Sequence, residues 1–166
     1  MTSFLWKETR DLHHACEKHA FGSAMASGSP PWQWYSDWLQ ALLDIHRVID
    51  EHSVNAIRRV ERLEEDLKNA FTPRDLTVAK NYANSLKTEQ DIAGATYVLL
   101  GAHLMGGEVM RRKLIIYPTT HLEWEDRKVA LQELQKIKER TDIVEQAKNC
   151  FHALLSTMDE IHALPL

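Results

Sequence analysis

Hydrophobic residues recur along most of the chain at spacings of three and four positions, the period of one face of an α-helix. This pattern predicts an all-α fold. Its interruptions predict seven helices, over residues 3–20, 31–52, 54–70, 73–87, 89–116, 122–140 and 142–161. Thr2 or Ser3 is the expected N-cap of the first. Residues 22–31 are small, polar and proline-bearing, which predicts a loop.

The stretch of residues 97–112 is long, apolar and free of proline, as in a buried helix, yet Gly106 and Gly107 lie in it. Each glycine costs a helix interior up to about 1 kcal/mol relative to alanine. Such a pair indicates one of two things: a flat group approaches the backbone closely, or the helix breaks into two shorter ones.

His13 lies on the apolar face of the first predicted helix, together with Leu5, Thr9, Leu12, Cys16 and Ala20. A histidine on such a face is either a core side chain with a hydrogen-bond partner, here Glu17 one turn later, or a metal ligand. A single neutral imidazole in an apolar pocket is the ligand that a haem iron takes on its proximal side.

His103 is a second histidine on an apolar helix, shortly before the glycine pair. It is either a core polar group with a partner, or it faces whatever approaches the glycines. The remaining histidines considered are expected at the surface or the rim of a site: His46, His52, His121, His152 and His162. With nine histidines in the chain, no single one is strong evidence of a site.

Composition and charge narrow the class of protein. The chain of 166 residues is long enough for one domain, 1–166, with its own core. Twenty basic and 24 acidic residues give a net charge of −4, which argues against nucleic-acid binding. The two cysteines, Cys16 and Cys150, are far apart and are expected to be reduced in a cytoplasmic protein. No signal-peptide pattern or membrane-spanning run is present, so no membrane association is expected.

Motifs of several enzyme classes are absent from the sequence. There is no Glu-x-x-His repeat of di-iron bundles and no Cys/His spacing of a zinc site. There is also no phosphate-binding loop and no nucleophile elbow. Hydrolase and kinase activities therefore have no support.

Four segments resemble those of the haem oxygenase family, in the family's order. Residues 5–17 resemble its first helix, in which a Thr, a His four residues later and a Glu four residues further recur; here they are Thr9, His13 and Glu17. Residues 63–67 resemble its Leu-x-x-Asp-Leu segment.

The other two segments lie in the second half of the chain. Gly106 and Gly107, followed by Glu108 and a hydrophobic residue, resemble the end of the family's distal helix. Residues 144–151 resemble its closing helix, whose phenylalanine falls on Phe151.

The resemblance implies a single-domain helical fold that sandwiches haem between a proximal and a distal helix. It implies oxidative cleavage of haem to biliverdin, with release of iron and carbon monoxide. Haem is then both substrate and cofactor, beside O₂ and external electrons from ferredoxin or a flavin/NADPH reductase. The implied partners are an electron-donor protein and a biliverdin-consuming enzyme.

The resemblance also assigns roles. His13 is the implied iron ligand, and Gly106 and Gly107 let the distal backbone come close to the iron. The cofactor-binding residues expected by resemblance and position are His13, Glu17, Tyr97, Ala102, Arg127 and Phe151. Arg127 is the candidate cation for a haem propionate, the alternative being a solvated surface charge.

The chain departs from the family pattern just before the glycines. Most members have Gly-Asp where Ala102 and His103 stand, and a shift of one residue would place Gly101 and Ala102 there instead. His103 then either organises distal water in catalysis or binds iron as a sixth ligand. The second case would give a non-catalytic haem-binding or haem-sensing protein of the same fold. A helical interaction protein without a cofactor is a third possibility.

A basic run, Arg111, Arg112 and Lys113, is open to two interpretations. It is a docking surface for an acidic ferredoxin, or it is the solvated end of a helix, where cations complement the macrodipole. The sequence alone does not separate the two.

Overall fold

The computed structural model describes residues 3–166, and over that range it is helical and contains no strand. The all-α prediction is confirmed. The described residues form α1 (Phe4–Lys18), α2 (Ala20–Ala26), α3 (Trp32–Ile49), α4 (Val60–Lys68), α5 (Val78–Ser85), α6 (Glu89–Gly101), α7 (Gly107–Lys113), α8 (Arg127–Lys138) and α9 (Val144–Ala163). A π-helical turn, Ala102–Gly106, joins α6 to α7. None of these helices is both long and apolar enough to cross a bilayer.

The start of α1 follows the sequence pattern. The side chain of Ser3 accepts a hydrogen bond from the amide of Trp6 and caps the helix. Thr2, the alternative cap, lies outside the described residues. The helix ends at Lys18, slightly before its predicted end.

The loop predicted for residues 22–31 is wrong in its first half, which belongs to α2. Phe21 explains the difference: its ring is buried against Trp38, with the ring centres 4.9 Å apart. The Nδ1 atom of His19 accepts a hydrogen bond from the Phe21 amide and caps α2. One buried aromatic ring and one cap therefore hold a helix that the small residues alone do not indicate.

Helix α9 supports two of the helices that carry candidate site residues, because α1 and α6 each pack along it. The contact with α6 is closest at Gly94, where an added Cβ would lie 2.5 Å from the Cβ of Gln146. The main core is built largely from apolar side chains of α3, α6 and α9, among them Leu39, Leu42, Ile45, Leu99, Leu100, Ala147 and Leu154. This shared support fixes the relative placement of α1 and α6.

The helix predicted over residues 54–70 begins only at Val60. The cause is the buried carboxylate of Asp50, whose Oδ2 atom accepts hydrogen bonds from the amides of Arg59 and Val60, each at 2.8 Å. These amides start α4, and the preceding residues form two short 3₁₀ turns, Asp50–His52 and Asn55–Ile57. The predicted helix over 31–52 thus ends as α-helix at Ile49.

Two further helices are shorter than predicted. The segment predicted as helix over 73–87 is helical only in α5. The helix predicted over 122–140 begins at Arg127, where the Asp126 side chain accepts from the Val129 amide as N-cap.

The glycine-bearing helix predicted over 89–116 begins where expected, at a capping box formed by Thr88 and Asp91. It ends at Lys113, and its regular α geometry is interrupted by the π turn. Such single π turns widen a helix locally and occur frequently at functional sites. The chain therefore neither runs straight through the glycine pair nor breaks there.

Substitution of Gly94 tests the packing of α6 on α9. Gly94→Ala is expected to destabilise the fold by about 1–3 kcal/mol, because the new Cβ overlaps Gln146 and the α9 backbone. Gly101→Ala is the matched control: its Cβ would meet nothing within 4 Å, and helix propensity should stabilise it by up to about 1 kcal/mol. Thermal melts of the two haem-free variants measure the difference, and equal melting temperatures would contradict this packing.

Candidate functional site

His13 lies at the edge of the core, with 41% of its side chain exposed. Leu5 and Thr9, on the same predicted face of α1, are buried. The imidazole meets the rings of Trp6 and Phe151 edge-on, with ring centres 5.1 and 6.2 Å away. His13 is thus a positioned side chain that remains accessible.

Glu17 lies beside one nitrogen of this imidazole. Its Oε1 atom is 3.1 Å from Nδ1 of His13, close enough for an ion pair but not aligned for a hydrogen bond. Because Nδ1 is itself buried, the exposed part of the ring is the side that carries Nε2. A carboxylate near one nitrogen and an accessible second nitrogen is the usual arrangement of a metal-binding histidine.

The stretch of residues 97–112 has two faces, and the prediction of a buried helix holds for only one of them. Leu99 and Leu104 are buried on one side. On the other side Met105 is 60% exposed, and Ala102 and Val109 are exposed as well. The open face is apolar, without a charged side chain among these three residues.

The glycines in this segment serve different purposes. A Cβ added at Gly101 or at Gly106 would meet nothing within 4 Å, so both open onto free space beside the exposed face. A Cβ at Gly107 would lie 3.3 Å from Cδ2 of Leu122, so this glycine permits close packing behind the segment. Of the predicted pair, Gly106 faces the open side, and Gly107 faces the protein.

His103 is buried, with 5% of its surface exposed, and its Nε2 atom lies 3.1 Å from Nε2 of His46 on α3. The other nitrogen of His46, Nδ1, lies 3.1 Å from Oδ1 of Asp50. Since the carboxylate only accepts, His46 donates from Nδ1, and His103 then donates from Nε2 to His46. Nδ1 of His103 is left with a lone pair.

A second buried pair, His121 and Asp66, adjoins the hydrogen-bonded series of His103, His46 and Asp50. Nδ1 of His121 lies 2.6 Å from Oδ2 of Asp66, and its ring meets His103 edge-on at 5.7 Å between ring centres. The Asp66 carboxylate also accepts from the amide and the hydroxyl of Thr120. Two carboxylates and three imidazoles therefore lie together beside the π turn.

The expectation that His46 and His121 lie at the surface is wrong, since both are buried. The local signal for His46 is Asp50, four residues later and so on the same face of the helix. His121 follows α7 in a short 3₁₀ turn, and no local pattern indicates its burial. His52, His152 and His162 are exposed, as predicted.

Burial keeps two hydrogen-bonded histidines, His46 and His103, neutral. It lowers the pKa of His46 despite the opposing hydrogen bond to Asp50. It also holds the pKa of His103 well below its ordinary value, and the nearby His46 and His121 add to the effect. Burial alone would raise the pKa of Asp66, but hydrogen bonds from His121 and Thr120 outweigh it and lower that pKa.

Three further candidate residues lie on three different helices: Phe151 on α9, Tyr97 on α6 and Arg127 on α8. Phe151 contacts His13 directly. Tyr97 is buried in α6, and burial raises its pKa. The guanidinium of Arg127 is exposed and donates long hydrogen bonds, of 3.4 and 3.5 Å, to the carbonyl oxygen of Leu104 in the π turn.

The basic run at the end of α7 is partly neutralised. Arg111 pairs with Glu108 and Glu123, and Arg112 also pairs with Glu108. Lys113 donates to the carbonyl oxygen of Ala26. This surface therefore has less free positive charge than its sequence suggests.

A cleft of about 880 Å³ lies elsewhere on the surface, with Asp50 and Arg59 in its wall. None of the predicted haem-site residues lines it. It is a charged cleft, and its remaining lining is Arg47, Glu51, Asn55, Ala56, Arg58, Val60, Glu61, Arg62, Glu125 and Asp126. Its character differs from that of the apolar face beside Gly101 and Gly106.

The residues around α1 and the π turn fit a flat, apolar, iron-bearing group. His13 offers an accessible nitrogen to a metal. Gly101 and Gly106 leave the backbone of the π segment open to a planar surface, and Met105 and Val109 supply apolar contact beside them. These features suit a haem group: His13 would hold its iron, and the backbone at Gly101 and Gly106 would leave room for its face.

Comparison with known proteins identifies the fold. The chain superimposes on the structure of heme oxygenase from Leptospira interrogans with a TM-score of 0.79 and 18% identity, covering 94% of this chain and 97% of that one. It superimposes on heme oxygenase-1 from the cyanobacterium Synechocystis, solved in complex with heme, with a TM-score of 0.78 and 13% identity, covering 95% and 90%. No protein-family model and no curated protein matches the sequence. The chain thus has the haem oxygenase fold.

The pKa values of the buried His46 and His103 predict how the stability of the fold depends on pH. The folded-state pKa values of His46 and His103 lie below those of the unfolded chain, so protonation favours unfolding. Their contribution to stability is full above about pH 6.5 and is lost as the pH falls below that value. We expect the melting temperature to fall between about pH 7.5 and pH 5.5.

The double variant His46→Gln/His103→Gln should lose part of this dependence, whereas His152→Gln, at an exposed position, should keep it. Asp66, whose pKa is lowered, loses its contribution only below about pH 4 and does not disturb the measurement. An equal slope in the double variant and the wild type would contradict burial of neutral histidines.

Proposed function

We propose that this chain binds haem between α1 and the π segment and cleaves it oxidatively to biliverdin, with release of iron and carbon monoxide. The observation that carries the proposal is the combination of an accessible His13 with an open backbone at Gly101 and Gly106, on a haem oxygenase fold. When bound, haem supplies the iron that activates O₂ and the ring that is cleaved. Electrons come from an external donor, a ferredoxin or a flavin/NADPH reductase.

His13 is the proposed axial ligand. Its packing against Trp6 and Phe151 holds the ring, and Glu17 beside Nδ1 directs Nε2 toward the iron. Glu17 approaches without an aligned hydrogen bond, so it does not strengthen the ligand in the way that a hydrogen-bonded carboxylate does. A neutral ligand donates less electron density to iron than a thiolate does.

The π segment is the proposed distal surface. Gly101 and Gly106 let its backbone approach the haem face, which side chains at these positions would prevent. Met105, Val109 and Ala102 lie on the same exposed face and exclude water from the haem. Gly107 lies on the opposite side of the segment, where its contact with Leu122 holds the segment in place.

His103 is proposed to act as a neutral hydrogen-bond acceptor for ordered water near the distal surface. Its Nε2 atom is engaged by His46, so binding iron through that atom would break a buried hydrogen bond. Together with the burial of His103, this observation favours the enzyme over the haem-sensing alternative, in which His103 is a sixth ligand. Nδ1 retains the lone pair that water needs as an acceptor.

Arg127 is the proposed partner of a haem propionate, and the basic run at the end of α7 is the proposed contact with an electron donor. The guanidinium lies at the π turn through its bonds to Leu104 and is exposed, so it can turn to a haem propionate. Arg111, Arg112 and Lys113 remain the proposed contact with an acidic electron donor, with part of their charge already paired. A biliverdin-consuming enzyme is the proposed next partner.

Mixing the purified protein with hemin is expected to shift the Soret band, and reduction with ascorbate in air should then give biliverdin. His13→Ala should weaken hemin binding at least about tenfold and abolish turnover, with little change in the melting temperature of the haem-free protein. His152→Ala, an exposed histidine of α9, is the control and should behave as wild type.

Unchanged turnover in His13→Ala would refute the assignment of the axial ligand. A Soret shift without biliverdin would support a haem-binding protein in place of the enzyme. The absence of any Soret shift, together with a melting temperature that excess hemin does not raise, would leave an interaction protein without a cofactor.

The role of Arg127 has its own test. Arg127→Met should weaken hemin binding about two- to fivefold, the range expected for an exposed charge pair. Lys128→Met, the adjacent exposed cation, is the matched control and should have no effect. Equal hemin affinity in the two variants would remove Arg127 from the propionate site.

A further inference from the structure

Next to His13 on α1 lie two more potential metal ligands, His14 and Glu17. One donor atom from each of the three side chains lies within 4.8 Å of the others. The residues stand at positions i, i+1 and i+4 of one helix, so the spacing follows from α1 alone. His14 has no part in the haem site proposed above.

The two imidazoles are partly oriented already. The ring of Trp6 meets both edge-on, with ring centres 5.1 Å from His13 and 6.3 Å from His14. The two imidazole centres are 6.0 Å apart. Side chains held in this way lose less conformational entropy when they bind an ion.

The distance between His13 and Glu17 suits a shared ion. Two metal–ligand bonds of about 2.1 Å place their ligand atoms roughly 3.0–3.4 Å apart, depending on the bond angle. Nδ1 of His13 and Oε1 of Glu17 are 3.1 Å apart. The same Nδ1 atom is buried and makes no hydrogen bond, so it is a polar group that lacks a partner.

Glu17 lies beside the buried Nδ1 of His13 and is exposed, as is His14, so both can rotate to admit an ion from solvent and then close on it. Two imidazoles and one carboxylate form a ligand set typical of ferrous iron in non-haem sites. Water would complete the coordination.

We propose that His13, His14 and Glu17 together bind a divalent first-row metal ion whenever haem does not occupy His13. This rests on the proposed function for its physiological ion, which is the ferrous iron released by cleavage of the haem ring. The released ion leaves the ring next to His13, and the adjacent imidazole and carboxylate retain it.

The ion and haem exclude each other. A neutral imidazole has one nitrogen with a free lone pair, because the other carries the proton. His13 therefore binds haem iron or the separate ion, but not both. Retained ion blocks the next haem until the ion leaves, which makes iron removal a step that limits reloading.

Titration of the metal-free, haem-free protein with Co²⁺ tests the site, since its visible absorption reports coordination. We expect one Co²⁺ per chain and displacement of Co²⁺ by excess Fe²⁺ under anaerobic conditions. His14→Ala should weaken Co²⁺ binding at least about tenfold and leave hemin binding unchanged. His152→Ala is the matched control and should change neither.

Saturating Co²⁺ should raise the apparent Kd for hemin in the wild type and much less in His14→Ala. The proposal is overturned if His14→Ala binds Co²⁺ as the wild type does, or if saturating Co²⁺ leaves hemin affinity unchanged. Failure of the proposed function looks different: hemin does not bind, while Co²⁺ still binds through His14.

Discussion

The candidate site depends on how closely a planar group can approach the backbone of residues 101–106. Gly101 and Gly106 leave that approach open, and a π turn shapes the segment between them. An open face of this kind has few contacts of its own. It is therefore held from behind, where Gly107 packs on Leu122 and where His103 bonds to His46. The segment is thus open at Gly101 and Gly106 on one side and supported by buried contacts on the other.

The hydrogen bonds of His46 and Asp50 also connect the site to the start of α4. Asp50 uses one carboxylate oxygen to orient His46 and the other to accept the amides that begin α4. Removing that carboxylate would disturb both the histidine and the helix start. Because burial keeps His46 and His103 neutral, the interior beside the π turn contains polar atoms without adding cations.

Local features of the site are predictable from the sequence, and the features made by distant segments are not. Helical spacing places His13 on the face of α1 that carries Leu5 and Thr9, but its exposure depends on how much of that face α9 covers. The glycines mark a segment whose helix geometry is irregular, yet only the position of Leu122 shows that Gly107 faces inward. His121 has no local signal for burial, since Asp66, its partner, comes from another helix. The small residues of α2 conceal a helix that the burial of Phe21 stabilises.

The central claim is that haem lies between α1 and the π segment, with His13 on one face and the glycine backbone on the other. A crystal structure of the hemin complex tests it most directly. We expect iron bonded to His13, the ring face against Gly101 and Gly106, and the hydrogen bond between His103 and His46 retained. Iron bonded to His103 or to another histidine, or hemin bound away from the π segment, would contradict it.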